Sequence, residues 1–465
     1  MTTASQPSDR FDLASGSKGF DLEHRRKINF NMGRYHAAVQ AGQKDYRDPE
    51  LARDQAAYLK WQAVESLEKH LLRFESACRT NGAKVVWAAD ANDALEAVLE
   101  VVRRHKTRLV VKSKSMATEE IHLNDFLEKN GVEVVETDLG EYIQQLDGEP
   151  PYHIVTPAMH KSKEDVAALF HRKLGTDPNA SPEALTNHAR ALLRDRYVEA
   201  GVGITGANFL LADTGGVCVT ENEGNARMST TFTKAHVVIA GIEKVLGSMD
   251  DLDLLWPLLA AKGTGQQMTA YNTIFHGPRR ENESDGPQEM VVILLDNGRT
   301  RLLEDPQTRQ ALHCIRCGAC LNACPVYKNI GGHSYGATYS GPIGKVITPH
   351  LQDFDQYQHL SQASSLCGSC TEVCPVRIPL HQMILQNRHQ AAMGPGASKA
   401  QHWVWKAWSR AMLHRPLLDI VGPRTKSWFM GRFVGSLWGS RRTLPAPAPR
   451  SFRSLWRQRT NPPNR

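Results

Sequence analysis

CIRCGACLNACP, residues 314–325, is the stretch that decides how the C-terminal third of this 465-residue chain folds. Three of its cysteines recur at every third position, and the fourth stands directly before a proline. This C-x2-C-x2-C-x3-C-P spacing is typical of bacterial ferredoxins, in which three closely spaced thiolates surround one iron–sulfur cluster and the fourth cysteine reaches a neighbouring cluster. The spacing therefore predicts a ferredoxin-type module that carries clusters and moves single electrons.

Zinc is the alternative occupant for such a cysteine-rich segment. A zinc ribbon uses two separated cysteine pairs, which the four close cysteines before Pro325 do not match. Seven of the nine cysteines lie between positions 314 and 374, so they fit a metal centre in a reducing compartment better than scattered disulfides. Cys78 and Cys218 lie elsewhere, and we interpret them as small core residues.

A second cysteine motif, CGSCTEVCP, occupies residues 367–375 and has one cysteine fewer. Alignment on the first motif places Ser364 where the missing cysteine would stand. In crossed ligation the last cysteine of each motif serves the other motif's cluster. We therefore expect two [4Fe-4S] clusters, the first held by Cys314, Cys317, Cys320 and Cys374 and the second by Cys324, Cys367, Cys370 and, as a candidate fourth ligand, Ser364. With only three thiolates, the second cluster is expected to become [3Fe-4S] on oxidation.

Upstream of the cysteines, strand-like and helical patterns alternate. The strands are predicted at residues 83–88, 108–112, 132–135, 236–240 and 290–294, and the helices at residues 48–79, 92–105, 118–130 and 181–200. Alternation at this spacing favours an α/β domain with a largely parallel sheet. Residues 201–206 match G-x-G-x-x-G, but a helix precedes them and strands follow, which is the reverse of a dinucleotide-binding unit.

Composition divides the chain into four predicted segments. They are an N-terminal polar segment with a long helix (1–80), the α/β domain (81–300), the cysteine module (301–393) and a basic region (394–465). From Gln390 onward there are fourteen Lys or Arg and one acid, Asp419, a net charge of +13 within a chain whose total is +7. Since no apolar leader or membrane span is visible, we expect a cytoplasmic protein.

Several strings resemble the lactate utilization protein B family, the iron–sulfur subunits of a bacterial three-protein system that oxidises L-lactate. They are HCIRCGACLNACPVY (313–327), GGHSYGATYSGPIG (331–344), LCGSCTEVCPVRIPL (366–380), VVKSKSMATEEI (110–121) and GITGANFLLADTGGVCVTENEGNAR (203–227). The resemblance implies an α/β lactate-utilization domain similar to the sugar-isomerase and CoA-transferase group. It also implies electron transfer during oxidation of L-lactate to pyruvate, alongside a cysteine-rich iron–sulfur subunit and a second lactate-utilization-domain protein.

Three residues of the α/β domain are candidates for substrate binding. Lys112 and Lys114 lie at the end of a predicted strand and precede a helix, a position that attracts anions such as a carboxylate. Glu221 follows another strand, and the CoA-transferase resemblance suggests a nucleophilic role for it. The alternatives are a capped, solvated turn for the lysines and a loop hydrogen-bond acceptor for the glutamate.

The basic tail carries six tryptophans among its arginines: Trp403, Trp405, Trp408, Trp428, Trp438 and Trp456. We expect it to dock a protein partner, with an anionic membrane surface as the alternative, and we expect no nucleic-acid binding because no recognised binding motif accompanies the charge. Rival functions are a ferredoxin-like subunit of another dehydrogenase and a redox-sensing regulatory protein.

Overall fold

Ten strands form two sheets in the computed structural model, which describes residues 6–394, 399–414, 422–434 and 443–460. They are β1 (Lys84–Ala88), β2 (Leu109–Lys112), β3 (Glu133–Glu136), β4 (Val202–Gly206), β5 (Phe209–Leu211), β6 (Val217–Glu221), β7 (Ala235–Gly241), β8 (Val245–Leu246), β9 (Tyr271–Phe275) and β10 (Glu289–Leu295). One sheet has the order β1-β10-β7-β4-β2-β3 with all neighbours parallel, and the smaller sheet has the order β8-β5-β6-β9. The predicted α/β domain with a parallel sheet is confirmed.

The helices of the N-terminal and α/β regions are α1 (Pro7–Lys18), α2 (Leu22–Gly42), α3 (Pro49–Glu65), α4 (Leu67–Thr80), α5 (Ala91–Arg104), α6 (Met116–Glu120), α7 (Leu123–Lys129), α8 (Leu139–Asp147), α9 (Lys163–Leu174), α10 (Pro182–Glu199), α11 (Asn225–Thr231), α12 (Leu252–Gly263) and α13 (Arg299–Glu304). The cysteine region contributes α14 (Ala319–Ala323), α15 (Pro325–Ile330), α16 (Gly341–Leu351), α17 (Phe354–Tyr357), α18 (Ser369–Glu372) and α19 (Leu380–Met393). The tail contributes α20 (Lys399–Leu413), α21 (Pro423–Phe429) and α22 (Phe452–Thr460), and Met430–Val434 forms a π-helical turn.

Helices cover both faces of the parallel sheet. Alternate residues of β7 enter two separate cores, because successive side chains of a strand point to opposite faces. Val237 and Ile239 pack with α5, whereas Val238 and Ala240 pack with α4. The α/β layer therefore already includes α4, which lies before residue 81, the predicted start of the domain.

The single helix predicted over residues 48–79 is wrong, because the chain breaks at Ser66 into α3 and α4. The break lets α3 and α4 pack in two different hydrophobic cores. Ala56 and Val64 of α3 pack in the core that contains the cysteines, whereas Leu71 and Phe74 of α4 pack against the parallel sheet. One straight helix could not present a continuous face to both. The helix predicted over residues 118–130 is likewise two helices, α6 and α7.

The glycine string at residues 201–206 forms strand β4 rather than a loop. A Cβ at Gly203 would lie 1.9 Å from the carbonyl oxygen of Ser229 in α11, so glycine is required there by the close packing of helix on strand. The string therefore has a packing role in the sheet.

Contacts divide the chain into two units, Met1–His389 and Gln390–Arg465. Within the first unit, Ile28 and Met32 of α2 share a core with Leu321 and Tyr327 of the cysteine region. The N-terminal segment is thus largely helical and packs on the cysteine module. In the described parts of the chain, no helix is long and apolar enough to cross a membrane.

Lys112 at the end of β2 is a structural cation. Its side chain is completely buried, and its Nζ lies 2.7 Å from both Glu119 Oε1 and Glu136 Oε1. Burial opposes the charge of the ammonium, but the two carboxylates raise the pKa of Lys112 above its ordinary value. Removing one member of such a buried ionic group lowers the free energy of unfolding strongly, because the remaining charges are left uncompensated.

We expect Lys112→Met to lower the free energy of unfolding by about 3–5 kcal/mol at pH 8. Burial already raises the pKa of Glu136, and loss of the lysine will raise it further. A carboxyl whose folded-state pKa is raised costs stability above its unfolded-state pKa, so the loss should shrink between pH 8 and pH 5. Anaerobic denaturant titrations at both pH values measure it.

Lys84→Met is the matched control, since Lys84 pairs with Glu289 at 2.7 Å but is 63% exposed. An exposed pair contributes less than about 1 kcal/mol. Equal losses in the two variants, or a loss independent of pH, would contradict the structural role of Lys112.

Candidate functional site: a cysteine centre beside a strand-end cavity

Both cysteine motifs contain the same backbone turn. The residues on either side of Cys317 and of Cys367 have left-handed φ angles, 60° at Arg316, 77° at Gly318, 55° at Leu366 and 87° at Gly368. This conformation is uncommon outside glycine, so its recurrence at matching positions marks a repeated structure. The repeat aligns Cys317 with Cys367, and therefore Cys314 with Ser364.

Ser364 occupies the position in its turn that Cys314 occupies in the first. The backbone N–H of Arg316 donates to Cys314 Sγ at 3.4 Å, and the backbone N–H of Leu366 donates to Ser364 Oγ at 3.1 Å. The side-chain oxygen of the second turn thus replaces the sulfur of the first.

Four sulfurs lie together in a first group. Burial raises the pKa of the Cys320 thiol well above its ordinary value, and further increases come from Cys314, Cys317 and Cys374. Interactions of this kind weaken with distance, so they indicate neighbours. In this first group Cys374 comes from the second motif, which supports crossed ligation.

The second group contains the remaining three cysteines of the module. Burial raises the pKa of Cys370, and Cys324 and Cys367 raise it further. Here Cys324 is the contribution of the first motif. Cys367 is exposed, whereas Cys324 and Cys370 are buried.

The donor chemistry of the two cysteine groups fits an iron–sulfur cluster. Thiolates ligate both zinc and iron–sulfur clusters, but the C-x2-C-x2-C-x3-C-P spacing of the first motif is that of ferredoxins. The cluster, when bound, would supply reversible one-electron transfer. A separate set of ligand atoms in the described residues, within 4.8 Å of one another, belongs to Glu149, His160 and His333.

Basic groups surround the first cysteine group. Arg53 is 6% exposed and donates from Nε to the carbonyl oxygen of Cys374 at 3.1 Å. Arg316 is stacked on the Tyr339 ring at 4.6 Å, and Lys262 is 6% exposed with Cys317 and Cys374 among its charged neighbours. A thiolate-held cluster carries net negative charge, so these cations stabilise it.

A single buried lysine faces the second cysteine group. Lys345 is fully buried, its Nζ lies 3.7 Å from Cys324 Sγ, and it sits 5.5 Å from the centre of the Tyr335 ring. At the exposed side of this group, Cys367 Sγ lies 3.5 Å from Ser369 Oγ. The second cysteine group therefore faces Lys345 on its buried side and solvent on its exposed side.

A cavity of about 360 Å³ adjoins the first group. Its walls are the residues that follow β2, β4, β6 and β7, together with Cys317. Ligands of parallel α/β folds bind at the carboxyl ends of strands, which is where this cavity lies. The fold thus brings a binding crevice and a cluster-forming cysteine to the same place.

One end of the cavity is acidic. Glu221 accepts hydrogen bonds from the backbone N–H groups of Ala226 at 2.7 Å and Arg227 at 3.1 Å. Glu223 accepts one from the backbone N–H of Leu139 at 3.0 Å, and burial, with Asp138 nearby, raises its pKa to about 7. The Glu221 carboxylate therefore caps the N-terminus of α11. This contact fits the hydrogen-bond acceptor named as the alternative to a nucleophile.

The two candidate lysines differ in position. Lys112 does not line the cavity, because it is buried among carboxylates. Lys114 lines it and donates to the carbonyl oxygen of Val155 at 2.9 Å, with Asp138 at 3.7 Å.

The other end of the cavity is basic. Arg299 pairs with Glu120 at 2.9 Å and with Glu243 at 2.6 Å, and Arg316 lies 3.5 Å from Glu243. Lys244 also lines the cavity, and no hydrogen-bond or ion-pair partner is found for its Nζ among the described residues. Burial, followed by Arg316, lowers the pKa of Lys244 to about 8, so the ammonium form still dominates at neutral pH.

The sequence comparisons agree with this architecture. The LUD domain matches residues 71–295 and the 4Fe-4S dicluster domain matches residues 310–378. Lactate utilization protein B of Bacillus licheniformis is 43% identical over 376 residues, covering 80% of this chain and 79% of that protein. Lactate utilization protein B of Bacillus subtilis is 40% identical over 413 residues, covering 86% of each chain. The chain belongs to the lactate utilization protein B family.

Two further similarities were found. An uncharacterized electron transport protein of Escherichia coli K12 is 41% identical over 416 residues, covering 87% of each chain. A crystal structure of a DUF162 family protein from Deinococcus radiodurans covers 50% of this chain and 98% of that one at 12% identity, with a TM-score of 0.29. A structural similarity with so low a TM-score carries no information about function. The family resemblance seen in the sequence is confirmed.

Sequence patterns missed part of this family member's site. Glu223 shares with Glu221 the strand-end segment whose two carboxylates the sequence already showed. Lys244 lies in a segment with no recognisable ligand-binding motif. Lys244 gives no such signal, because only the fold brings it to the cavity that Cys317 also lines.

We expect Lys345→Met to lower the reduction potential of the cluster expected at the second cysteine group. A unit charge about 6 Å away at an effective dielectric constant of about 20 contributes up to about 100 mV. The first cluster should shift less, because Cys324 and Cys370 are the cysteines that most affect Lys345. Redox titration followed by electron paramagnetic resonance measures both potentials. Lys129→Met, at an exposed site, is the control, and an unchanged second potential in Lys345→Met would contradict the assignment.

Proposed function

We propose that this chain is the iron–sulfur electron-transfer subunit of a complex that oxidises L-lactate to pyruvate. Relatives named lactate utilization protein B match most of its length. One observation carries the electron-transfer role: Cys317 of the first cysteine group lines the cavity, whereas Cys367 of the second group is exposed. The module can thus connect a buried site to the surface.

Two clusters form the proposed relay. Each motif gives its last cysteine, Cys324 or Cys374, to the group held mainly by the other motif. This exchange keeps the clusters close together, since the donated cysteine lies only four residues after the preceding cysteine of its motif. Electrons enter at the first cluster, cross to the second and leave near Cys367.

The proposed partners are a cysteine-rich iron–sulfur subunit and a second lactate-utilization-domain protein. The basic tail is the proposed docking element. In α20, Trp403, Trp405 and Trp408 are 53–64% exposed, and a net charge of +13 from Gln390 onward would attract an acidic partner. Trp438 and Asp419 lie outside the described residues.

The decisive experiment is lactate-dependent dye reduction with and without the companion subunits. Oxidation of L-lactate to pyruvate releases two protons and, from one bond, two electrons, whereas each cluster accepts a single electron, so the reaction needs an acceptor of electron pairs, which we place in a companion subunit. We therefore expect no dye reduction by the purified chain alone and robust reduction by the reconstituted complex. Robust reduction by the chain alone would place the whole reaction within it.

Two cysteine variants test whether the relay lies on the electron path. Cys367→Ala should abolish dye reduction by the complex, because it removes a ligand of the second cluster. Cys218→Ala, at a buried cysteine outside the module, should retain it. Full activity of Cys367→Ala would contradict the relay.

Ser364 is the proposed fourth donor of the second cluster. Its Oγ takes the place of the Cys314 sulfur in a matching turn, as the paired hydrogen bonds from Arg316 and Leu366 indicate. A hydroxyl oxygen is a harder and more basic ligand than a thiol, so the iron it holds should be bound less firmly. The second cluster should therefore be the one that loses iron.

We expect mild oxidation to convert the second cluster to [3Fe-4S] while the first stays intact. Ser364→Cys should suppress the conversion by supplying a fourth thiolate, and Ser364→Ala should accelerate it if the hydroxyl is the ligand. Ser76→Ala, at an exposed serine of α4, is the matched control. Iron counting and electron paramagnetic resonance on anaerobically purified protein measure the outcome. Two equally resistant [4Fe-4S] clusters in the wild type would contradict the ligand count.

A further inference from the structure

We infer that the cavity beside Cys317 is a binding site for a small organic monocarboxylate, whose carboxylate pairs with Lys244. The cavity volume of about 360 Å³ is ample for a short-chain acid. Its walls come from several strand ends, so the site exists only in the folded chain.

Charge counting at the basic end singles out one lysine. Arg299 already pairs with Glu120 and Glu243, and Arg316 neighbours Glu243 and stacks on Tyr339. Lys244 alone of these cations keeps an ammonium without a partner among the described residues, and its half-buried side chain lines the cavity. A charge that is partly withdrawn from water and has no partner is costly, and an anionic ligand would relieve that cost.

The same counting favours one negative charge on the ligand. At the basic end, the one ammonium without a partner in the described segments, that of Lys244, balances a monocarboxylate, whereas a phosphate dianion would leave excess negative charge. The far end of the cavity holds Asp138, Glu221 and Glu223, which would repel a second anionic group. A hydroxyl turned toward that end would instead donate a hydrogen bond to a carboxylate, so a 2-hydroxy acid suits both ends.

The position next to Cys317 gives the site a redox context. This part of the inference rests on the proposed function: in a lactate-oxidising complex the acid would be L-lactate or its product pyruvate, held beside the first cluster. Carboxylate binding itself depends only on Lys244 and the shape of the cavity.

The test uses anaerobically purified full-length protein with its clusters. Calorimetric titrations with L-lactate, pyruvate, acetate and inorganic phosphate should show binding of the carboxylates and little or none of phosphate. Lys244→Met should weaken pyruvate binding at least tenfold, Lys244→Arg should retain most of it, and Lys129→Met should leave it unchanged. Bound pyruvate should also alter the resonance spectrum of the first cluster in the wild type.

A second measurement needs no variant. Trace acylation of lysines followed by mass spectrometry should show Lys244 protected by pyruvate and exposed Lys129 unprotected. Because Lys244 has no partner in the described part of the chain, Lys244→Met should melt no lower than the wild type, which separates a binding defect from misfolding.

The possible outcomes separate this inference from the proposed function. No carboxylate binding by the wild type, equal binding by Lys244→Met, or tighter binding of phosphate would overturn the site, even if the complex oxidises lactate. Carboxylate binding that needs Lys244, in a complex that does not oxidise lactate, would support the site and overturn the function.

Discussion

Arg299 holds the cysteine module against the α/β sheet. Its side chain is 2% exposed, and its guanidinium pairs with Glu120 of α6 and with Glu243 after β7. Glu120 in turn accepts a hydrogen bond from the hydroxyl of Tyr339, in the cysteine region, at 2.7 Å. The desolvation cost of each buried charge in this group is offset by its oppositely charged partners, and a lone buried ion would be strongly destabilising. The two parts of the unit are therefore fixed relative to each other by electrostatics as well as by apolar packing.

This constraint also shapes the cavity. Glu243 draws in Arg316, which precedes Cys317 and adopts the left-handed φ of the cysteine turn. The turn is thereby held against the strand ends. The carboxylates engaged by the two arginines are then unavailable to Lys244, so the network that fixes the module also leaves the Lys244 ammonium without a partner in the part of the chain that the structure describes.

Structural features that depend on residue spacing could be predicted from the sequence. Features that are set by long-range packing could not. The parallel sheet followed from alternating patterns, and the alignment of Ser364 with the first motif is supported by matching turns. The break at Ser66 could not be predicted, because the helical pattern continues across it and only the two cores demand it. Lys112 illustrates the same limit: a lysine after a strand suggested an anion site, but the carboxylates of α6 and β3 bury it.

The surroundings of the two cysteine groups differ in a way that suits a relay. Arg53, Lys262 and Arg316 face the first group, so an added electron is stabilised there by several cations in a poorly screened interior. The second group has Lys345 on its inner side and solvent at Cys367. On the proposed function, an electron taken at the cavity is first held by the cationic interior, and transfer outward requires a partner that docks near Cys367 and makes the second cluster a better acceptor.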